Sequence, residues 1–128
     1  MVTQITSGIK ISVETNFEGT FFKNYKVHFA FGYEITIENQ SKLAVQLDSR
    51  FWEINDALNN IETVEGDGVI GQQPLIYPGS QHTYSSGCLL VSPFGTMKGH
   101  YNMIGIDDGK TFKVQIPKFD LSAPFALN

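Results

Sequence analysis

The sequence predicts an all-β domain, and the simplest architecture for it is a two-layer antiparallel sandwich of the immunoglobulin-like type. The chain has 128 residues, which fits one domain and is long enough to bury a core. Ten Phe and five Tyr residues are typical of a β-rich core, because aromatic side chains suit a pleated, half-buried surface. Short stretches of alternating apolar and polar residues recur along the chain, and no segment has a helical apolar stripe of useful length. We therefore predict one domain over residues 1–128, with seven or eight strands.

The first strands follow directly from this alternation. Ile9, Ile11 and Val13 predict an opening strand. The longest alternation comes next, over residues 25–39, and predicts a long strand with one buried face and one wet face. Its apolar positions are Tyr25, Val27, Phe29, Phe31, Tyr33, Ile35 and Ile37.

A change of phase marks the following strand. Val45 and Leu47 are apolar at odd positions, whereas Trp52 and Ile54 are apolar at even positions. One extra residue within 48–50 would produce this shift, so the sequence predicts a β-bulge there.

The second half of the chain contains shorter predicted strands, at residues 61–65, 81–86, 96–106 and 111–116. Asp107-Asp108-Gly109-Lys110 is a strong hairpin signal between the last two, and Pro117 is expected to end the final strand. The tail beyond it is apolar at Phe119, Leu121, Phe125 and Leu127. We expect the first two of these side chains to pack over the edge of the sandwich, and the sequence leaves Phe125 open.

Charge and cysteine content limit the function classes. The net charge is −4 with a pI near 5.2, and the basic residues are scattered, so binding to nucleic acid or to an anionic membrane is not expected. Cys88 is the only cysteine, which excludes an internal disulfide and favours a reducing compartment. The N-terminal residues lack the pattern of a signal peptide, and no apolar stretch is long enough to insert into a bilayer. These features predict a soluble cytoplasmic protein.

A glycine-dense segment contains Gly66, Gly68 and Gly71 in the spacing of a dinucleotide fingerprint. That fingerprint requires a helix after the glycines, but residues 72–74 (Gln-Gln-Pro) begin none, and Asp67 adds negative charge at the supposed anion site. We therefore reject a Rossmann site. Two interpretations remain: a backbone nest that binds phosphate, or a turn that needs positive φ at one or more glycines.

If the segment binds phosphate, the nearest plausible cationic partners are Arg50, Lys98 and His100. The ligand would then be a phosphate-bearing metabolite, with a divalent cation as a possible companion. No cofactor is predicted.

No catalytic set is evident in the sequence. The three histidines and Cys88 do not have metal-ligand spacing, so no metal site is predicted. Cys88 and His100 could form a nucleophile and a base, but lone residues of these types are more often structural. We therefore expect a binding protein rather than an enzyme.

Aromatic residues at or near predicted loops are the candidates for a protein-binding patch, because loops on a rigid sandwich often contact partners. These residues are Tyr77, Tyr84, Phe94 and Tyr101.

Several motifs together make the chain resemble the ApaG family of bacterial proteins. The resemblance covers nearly the whole chain, and the combined motif is far more specific than the glycine spacing alone. It is carried by Ser49-Arg50-Phe51-Trp52, Gly66-Asp67-Gly68-Val69-Ile70-Gly71-Gln72-Gln73-Pro74, Tyr77-Pro78-Gly79, Tyr84-Ser85-Ser86-Gly87-Cys88, Ser92-Pro93-Phe94-Gly95-Thr96-Met97-Lys98-Gly99-His100-Tyr101 and Ile116-Pro117-Lys118-Phe119.

The resemblance implies a fibronectin type III-like sandwich, in agreement with the strand pattern. It also implies a genetic link to cobalt resistance and magnesium efflux, and a role in protein–protein contact like that of related eukaryotic domains beside F-box and polymerase-interacting segments. For the glycine motif it implies pyrophosphate or nucleotide binding, although Asp67 stands where the family commonly has Glu. We therefore expect a protein partner first and a phosphate-bearing ligand as the alternative.

Overall fold

A computed structural model describes residues 1–57 and 59–127, and the side chains of residues 126 and 127 lie outside the description. Within these described residues there are nine strands and a final 3₁₀ helix. The strands are β1 (Val2–Thr6), β2 (Ile9–Lys23), β3 (Lys26–Asn39), β4 (Val45–Asp56), β5 (Ile61–Asp67), β6 (Leu75–Ile76), β7 (Gln81–Leu90), β8 (Phe94–Gly105) and β9 (Thr111–Ser122), and the helix is Pro124–Leu127.

The nine strands form two antiparallel sheets, and this confirms the two-layer sandwich. One sheet has the order β1-β2-β3-β7, and we call it sheet A. The other has the order β5-β4-β8-β9, with β6 also paired to β4, and we call it sheet B. Their inward faces meet in one core, where alternate residues such as Ile35 of sheet A and Tyr101 of sheet B are fully buried.

The predicted bulge is confirmed. The register between β4 and β8 shifts between Leu47 and Ser49, and Leu47 and Trp52 are both buried although their positions differ in parity. The extra residue therefore keeps both halves of β4 facing the core.

Two details of the strand prediction are wrong. The structure has nine strands rather than seven or eight, because the short β1 and β6 add to the sheets at their margins. Pro117 does not end the last strand, and β9 continues to Ser122. β9 is an edge strand, and its register against β8 shifts between Ile116 and Phe119. Proline is tolerated at such edges and irregularities because no regular ladder hydrogen bond is required of it. Phe119 and Leu121 are buried, as expected for packing, but they belong to the strand itself.

β2 and β3 extend beyond the two strands that flank them in sheet A, β1 and β7. β1 pairs with β2 only as far as Val13, and β7 pairs with β3 only as far as Phe29. Beyond these points β2 and β3 continue as a two-stranded ribbon to their last pair, Lys23 with Lys26. The residues between them, Asn24 and Tyr25, both have positive φ, of 52° and 62°, as a type I′ turn requires.

The strand predicted from Ile9, Ile11 and Val13 is β2, and it is much longer than predicted because it continues to Lys23.

Within the described ranges, no helix has the length and apolar character needed to cross a bilayer.

Candidate functional site

The glycine-dense segment forms a tight turn closed by its own hydrogen bonds. Val69 and Gln72 donate their amides to each other's carbonyl oxygens, at 2.8 and 3.0 Å. Between them Ile70 and Gly71 both have positive φ, of 47° and 72°, as in a type I′ turn. Gly68 also has positive φ, of 59°. The structure therefore confirms the interpretation of this segment as a turn that needs positive φ at glycine.

Arg50 holds this turn from the side of sheet B. Its Nη1 donates to the carbonyl oxygens of Asp67 and Gly68, at 2.9 and 2.8 Å. Arg50 is paired with Gly66 across β4 and β5, and a Cβ on Gly66 would lie 2.8 Å from Nη2. Glycine at position 66 thus leaves the space that the guanidinium occupies.

This arrangement has the opposite polarity to a phosphate nest. A nest turns several amides toward an anion, whereas the amides of Gly68 and Val69 here donate to the carbonyl oxygens of Asp48 and Gln72. The carbonyl groups of the segment face the cation of Arg50 instead.

Three of the six candidate ligand residues nevertheless border one cavity. Arg50, Gly66 and His100 line a concavity of about 570 Å³ beside β5, together with Lys113 of β9. Glu65 and Asp67 also line it, so its charge is mixed. A shared concave surface of this kind is the geometry that a small ligand would need.

The other three candidates lie apart from that cavity. Lys98 lines a neighbouring depression of about 350 Å³ with His100, and its ammonium forms an ion pair with Glu53 at 3.1 Å. Gly71 borders a third cavity, between the two sheets. Gly68 is buried within the turn.

His100 lies on the outer face of sheet B. Its ring stacks on Phe51, its cross-strand neighbour, with ring centroids 5.2 Å apart. Partial burial and the nearby ammonium of Lys113 lower the pKa of His100, while Glu65 acts in the opposite direction. The imidazole is therefore mostly neutral at pH 7.

Cys88 faces the other way and does not form a dyad with His100. Its side chain packs against the core from sheet A, whereas the ring of His100 lies on the outside of sheet B. Burial raises the pKa of Cys88 to about 11, and Glu62 and Asp56 add to the effect. A thiol with so high a pKa is a poor nucleophile at neutral pH. In the described part of the chain there is no group of three or more His, Cys, Asp and Glu side chains that could hold a metal ion.

Two of the four aromatic candidates for protein binding are wrong. Tyr84 and Tyr101 are buried, and their hydroxyls lie 2.5 Å apart, joined by a hydrogen bond between the sheets. Burial raises the pKa of both phenols, so both stay protonated at neutral pH. The sequence alone suggests a place near loops for both residues, because it does not show that β7 extends over Gln81–Leu90 and β8 over Phe94–Gly105.

Tyr77 and Phe94 are exposed, but they do not share a surface. Tyr77 follows β6, whose Ile76 pairs with the first residue of β4. The carbonyl of Phe94 accepts a hydrogen bond from Ala57, just beyond the other end of β4. A strand of this length separates them by about 35 Å.

Exposed apolar side chains lie on both faces of the ribbon and at the end of the sandwich from which it projects. We call this region the hairpin-end surface, and it consists of Phe21, Phe22, Tyr25, Val27, Phe94 and Phe125. Phe22 is 69% exposed and Tyr25 is 93% exposed. Phe125 contacts the rings of Phe17 and Phe29 on the inner side of the ribbon.

Sequence reasoning missed most of this surface. The alternation of β3 predicts a buried face for Tyr25 and Val27, but in the structure both side chains are exposed. The available signal was length, since a strand much longer than its neighbours must project beyond them.

Comparisons with known proteins agree on one family. The family model of the ApaG domain matches residues 19–105. The chain is 40% identical over 124 residues to Protein ApaG of Brucella suis biovar 1 (strain 1330) and 42% identical over 124 residues to Protein ApaG of Sinorhizobium fredii (strain NBRC 101917 / NGR234). Each match covers 97% of this chain and 95% of the relative.

Solved structures agree with the architecture. An X-ray structure of a Northeast Structural Genomics Consortium target has a TM-score of 0.87 at 35% identity, covering 91% of this chain and 88% of that one. A crystal structure reported for an ApaA protein from Bordetella pertussis has a TM-score of 0.83 at 36% identity, covering 91% and 94%.

Proposed function

Because this chain belongs to the ApaG domain family, we propose that it is a protein-interaction module without catalytic activity, and that the hairpin-end surface contacts the partner. The observation that carries the proposal is the uncovered ribbon. Exposing several large apolar side chains in one region is unfavourable in water unless a partner covers them. Phe22 and Tyr25 lie on the projecting ribbon, and both side chains are largely exposed.

The chemistry of these side chains suits protein contact. Aromatic residues are enriched where binding energy is concentrated, because they bury a large area with few rotatable bonds. The ribbon is also presented by a rigid base, since β2 and β3 are joined to the rest of sheet A by β1 and β7. We propose that the module acts in the cytoplasm. Its link to cobalt resistance and magnesium efflux would then arise from the partner protein that it binds.

The test is affinity capture from a lysate of the source organism with a matched pair of variants. The Phe22→Ser/Tyr25→Ser double variant alters the hairpin-end surface. Ile106→Ser removes an exposed apolar side chain (45% exposed) just after β8, at the opposite end of that strand from Phe94, and serves as the control. Equal midpoints in urea denaturation should first establish that both variants are folded.

We expect proteins captured by the wild type and by Ile106→Ser to be absent with the double variant. Identical sets from all three proteins, or no captured protein at all, would count against the proposal. Tyr77→Ser and Phe94→Ser, tested singly, separate the two ends of β4, and only Phe94→Ser should weaken capture.

A second candidate function has one observation in its favour. The cavity of about 570 Å³ brings Arg50, His100 and Lys113 together, and a phosphate-bearing metabolite would find cationic side chains there. Binding would involve these side chains rather than the amides of the glycine turn. Titration calorimetry with pyrophosphate and ATP, with and without Mg²⁺ or Co²⁺, tests this. Heat that is lost in Lys113→Gln but kept in Lys42→Gln supports it, and no heat at millimolar ligand rejects it.

A further inference from the structure

The edges of the two sheets differ in how they are protected against pairing with another chain. Natural sheets blunt their edges with charges, proline, bulges or short strands. β1 has only five residues, β5 carries Glu62 and Glu65, and β9 carries Lys113 and Pro117. The part of β2 that extends beyond β1 has a bulge at Phe17–Gly19. Each of these edges is poorly suited to receive an added strand.

β7 has none of these protections. Its ten residues include no Asp, Glu, Lys, Arg or Pro. Its pairing with β3 runs without a break from Gln81 to Leu90, and no residue within it has positive φ. In the described part of the chain β7 pairs on one side only, so its other side presents a straight row of main-chain donors and acceptors about 33 Å long.

A positive charge lies beside this open edge. On the inner side of β7, Tyr84 and Ser86 border a cavity of about 190 Å³ that Arg50, Asp67 and Ile70 also line. Arg50 is half-buried, and both hydrogens of its Nη1 are used by carbonyl oxygens of the glycine turn. Within residues 1–57 and 59–127 no carboxylate lies within 4.0 Å of its guanidinium. A partly buried guanidinium is normally matched by an anion.

We propose that β7 receives an extended segment of a partner protein as an added antiparallel or parallel strand, and that an acidic side chain of this segment enters the cavity beside Arg50. Main-chain hydrogen bonds to β7 supply affinity, and the side chain at Arg50 supplies selectivity. The cavity volume suits one Asp or Glu side chain. Ile70 borders the same cavity from the strained turn and offers an apolar contact to the stem of that side chain.

A second copy of this chain is a poorer occupant. Self-pairing of β7 would bring a second β7 against the edge, and that strand contains no carboxylate to match Arg50. Symmetric pairing of two β7 strands therefore leaves Arg50 without a complementary charge, which an acidic partner segment supplies.

The inference rests on the proposed role in protein binding but uses a different surface from the hairpin-end surface. The probe is a random linear ten-residue peptide library displayed on phage and selected on the wild-type protein. We expect enriched sequences to alternate in the manner of a strand and to share one Asp or Glu. The best of them should increase the hydrogen-exchange protection of amides 81–90 when added as a synthetic peptide.

Three controls separate the parts of the mechanism. N-methylation of alternate amides in the peptide removes its main-chain donors and should abolish binding. Replacing its acidic residue by the matching amide should weaken binding at least tenfold to the wild type but less than threefold to Arg50→Gln, whose fold is checked by circular dichroism. Phe22→Ser/Tyr25→Ser should bind the peptide normally, whatever the outcome of the capture experiment.

No enriched peptide, enriched peptides without an acidic residue, or binding that survives N-methylation would each overturn the proposal. Protection that appears outside residues 81–90 would do the same.

Discussion

The hydroxyl groups of Tyr84 and Tyr101 meet inside the core, 2.5 Å apart, and this hydrogen bond joins sheet A to sheet B. Each phenol is the other's partner, and both side chains are buried. We expect Tyr84→Phe and Tyr101→Phe each to lower the free energy of unfolding by about 1–3 kcal/mol, because each leaves one buried hydroxyl without a partner. The double variant should lie within about 1 kcal/mol of the wild type, since both polar groups are gone. Urea denaturation of the wild type, the two single variants and the double variant gives the coupling energy between the two hydroxyls. Losses that simply add in the double variant would contradict a direct hydrogen bond between them.

The glycines of the turn are predicted to differ sharply in their tolerance of a side chain. A Cβ on Gly68 would lie 2.0 Å from the carbonyl oxygen of Gln72, whereas a Cβ on Gly71 would meet nothing within 4 Å. Gly68→Ala should therefore cost about 3 kcal/mol or more through the clash and the altered backbone. Gly71→Ala should cost only about 1–2 kcal/mol, for its positive φ alone. Similar losses for the two variants, measured by urea denaturation, would show that the turn relaxes around either residue.

Ile70 occupies a conformation that β-branched residues rarely adopt, with φ of 47° at the first position of the turn. Ile70→Asn should raise the free energy of unfolding by about 0.5–1 kcal/mol, because Asn tolerates this region and suits a type I′ turn before Gly71. We expect the same variant to bind β7-directed peptides more weakly than the wild type, since the apolar contact beside Arg50 is lost. A stabilised variant with unchanged peptide affinity would indicate that the Ile70 side chain does not contact the peptide.

The high pKa of Cys88, about 11 against an ordinary value of 9.0, predicts both low reactivity and an alkaline loss of stability. At pH 8 the native thiol should react with iodoacetamide at least about tenfold more slowly than in urea, because little thiolate is present. The unfolded chain releases this proton near pH 9 and the folded chain only near 11, so stability present below pH 9 is lost as the pH rises through 11. Buried tyrosines also titrate at high pH, so the measurement is the difference between wild type and Cys88→Ala across pH 8–11. Parallel curves would place the thiol in a more solvated setting.

The strand pattern was predictable because burial in a sheet leaves a period-two trace in the sequence, and even the bulge near Ser49 showed as a change of phase. The sequence did not predict how far each sheet extends. Tyr25 continues the alternation of β3 but lies beyond the end of sheet B, where nothing covers it. Tyr101 was placed near a loop and is fully buried, because the sequence does not reveal which segments lie opposite each other.

The candidate site was predictable only in its parts. Arg50 and Gly66 were both identified, but as a cation and a loop that would jointly hold phosphate. Their actual relation depends on direct cross-strand pairing, with the guanidinium in the space that glycine leaves. The charge-free edge of β7 is visible in the sequence, but it has meaning only once β7 is known to be an outer strand.

The separation in sequence between β3 and β7 sets a kinetic constraint on this domain. Glu38 pairs with Gln81, and Phe29 pairs with Leu90. Sheet A is therefore complete only after the intervening chain, which forms β4, β5 and β6 of sheet B, has folded back to place β7 beside β3. Sandwiches dominated by such distant pairings fold on a timescale of about milliseconds to seconds. During that interval the β2–β3 hairpin can form locally, but the edge of β3 that later pairs with β7 has no partner strand. A segment that competes for this side before β7 docks would trap the chain in a partly assembled state, and folding assays begun from the denatured protein should slow when strand-forming peptides are present.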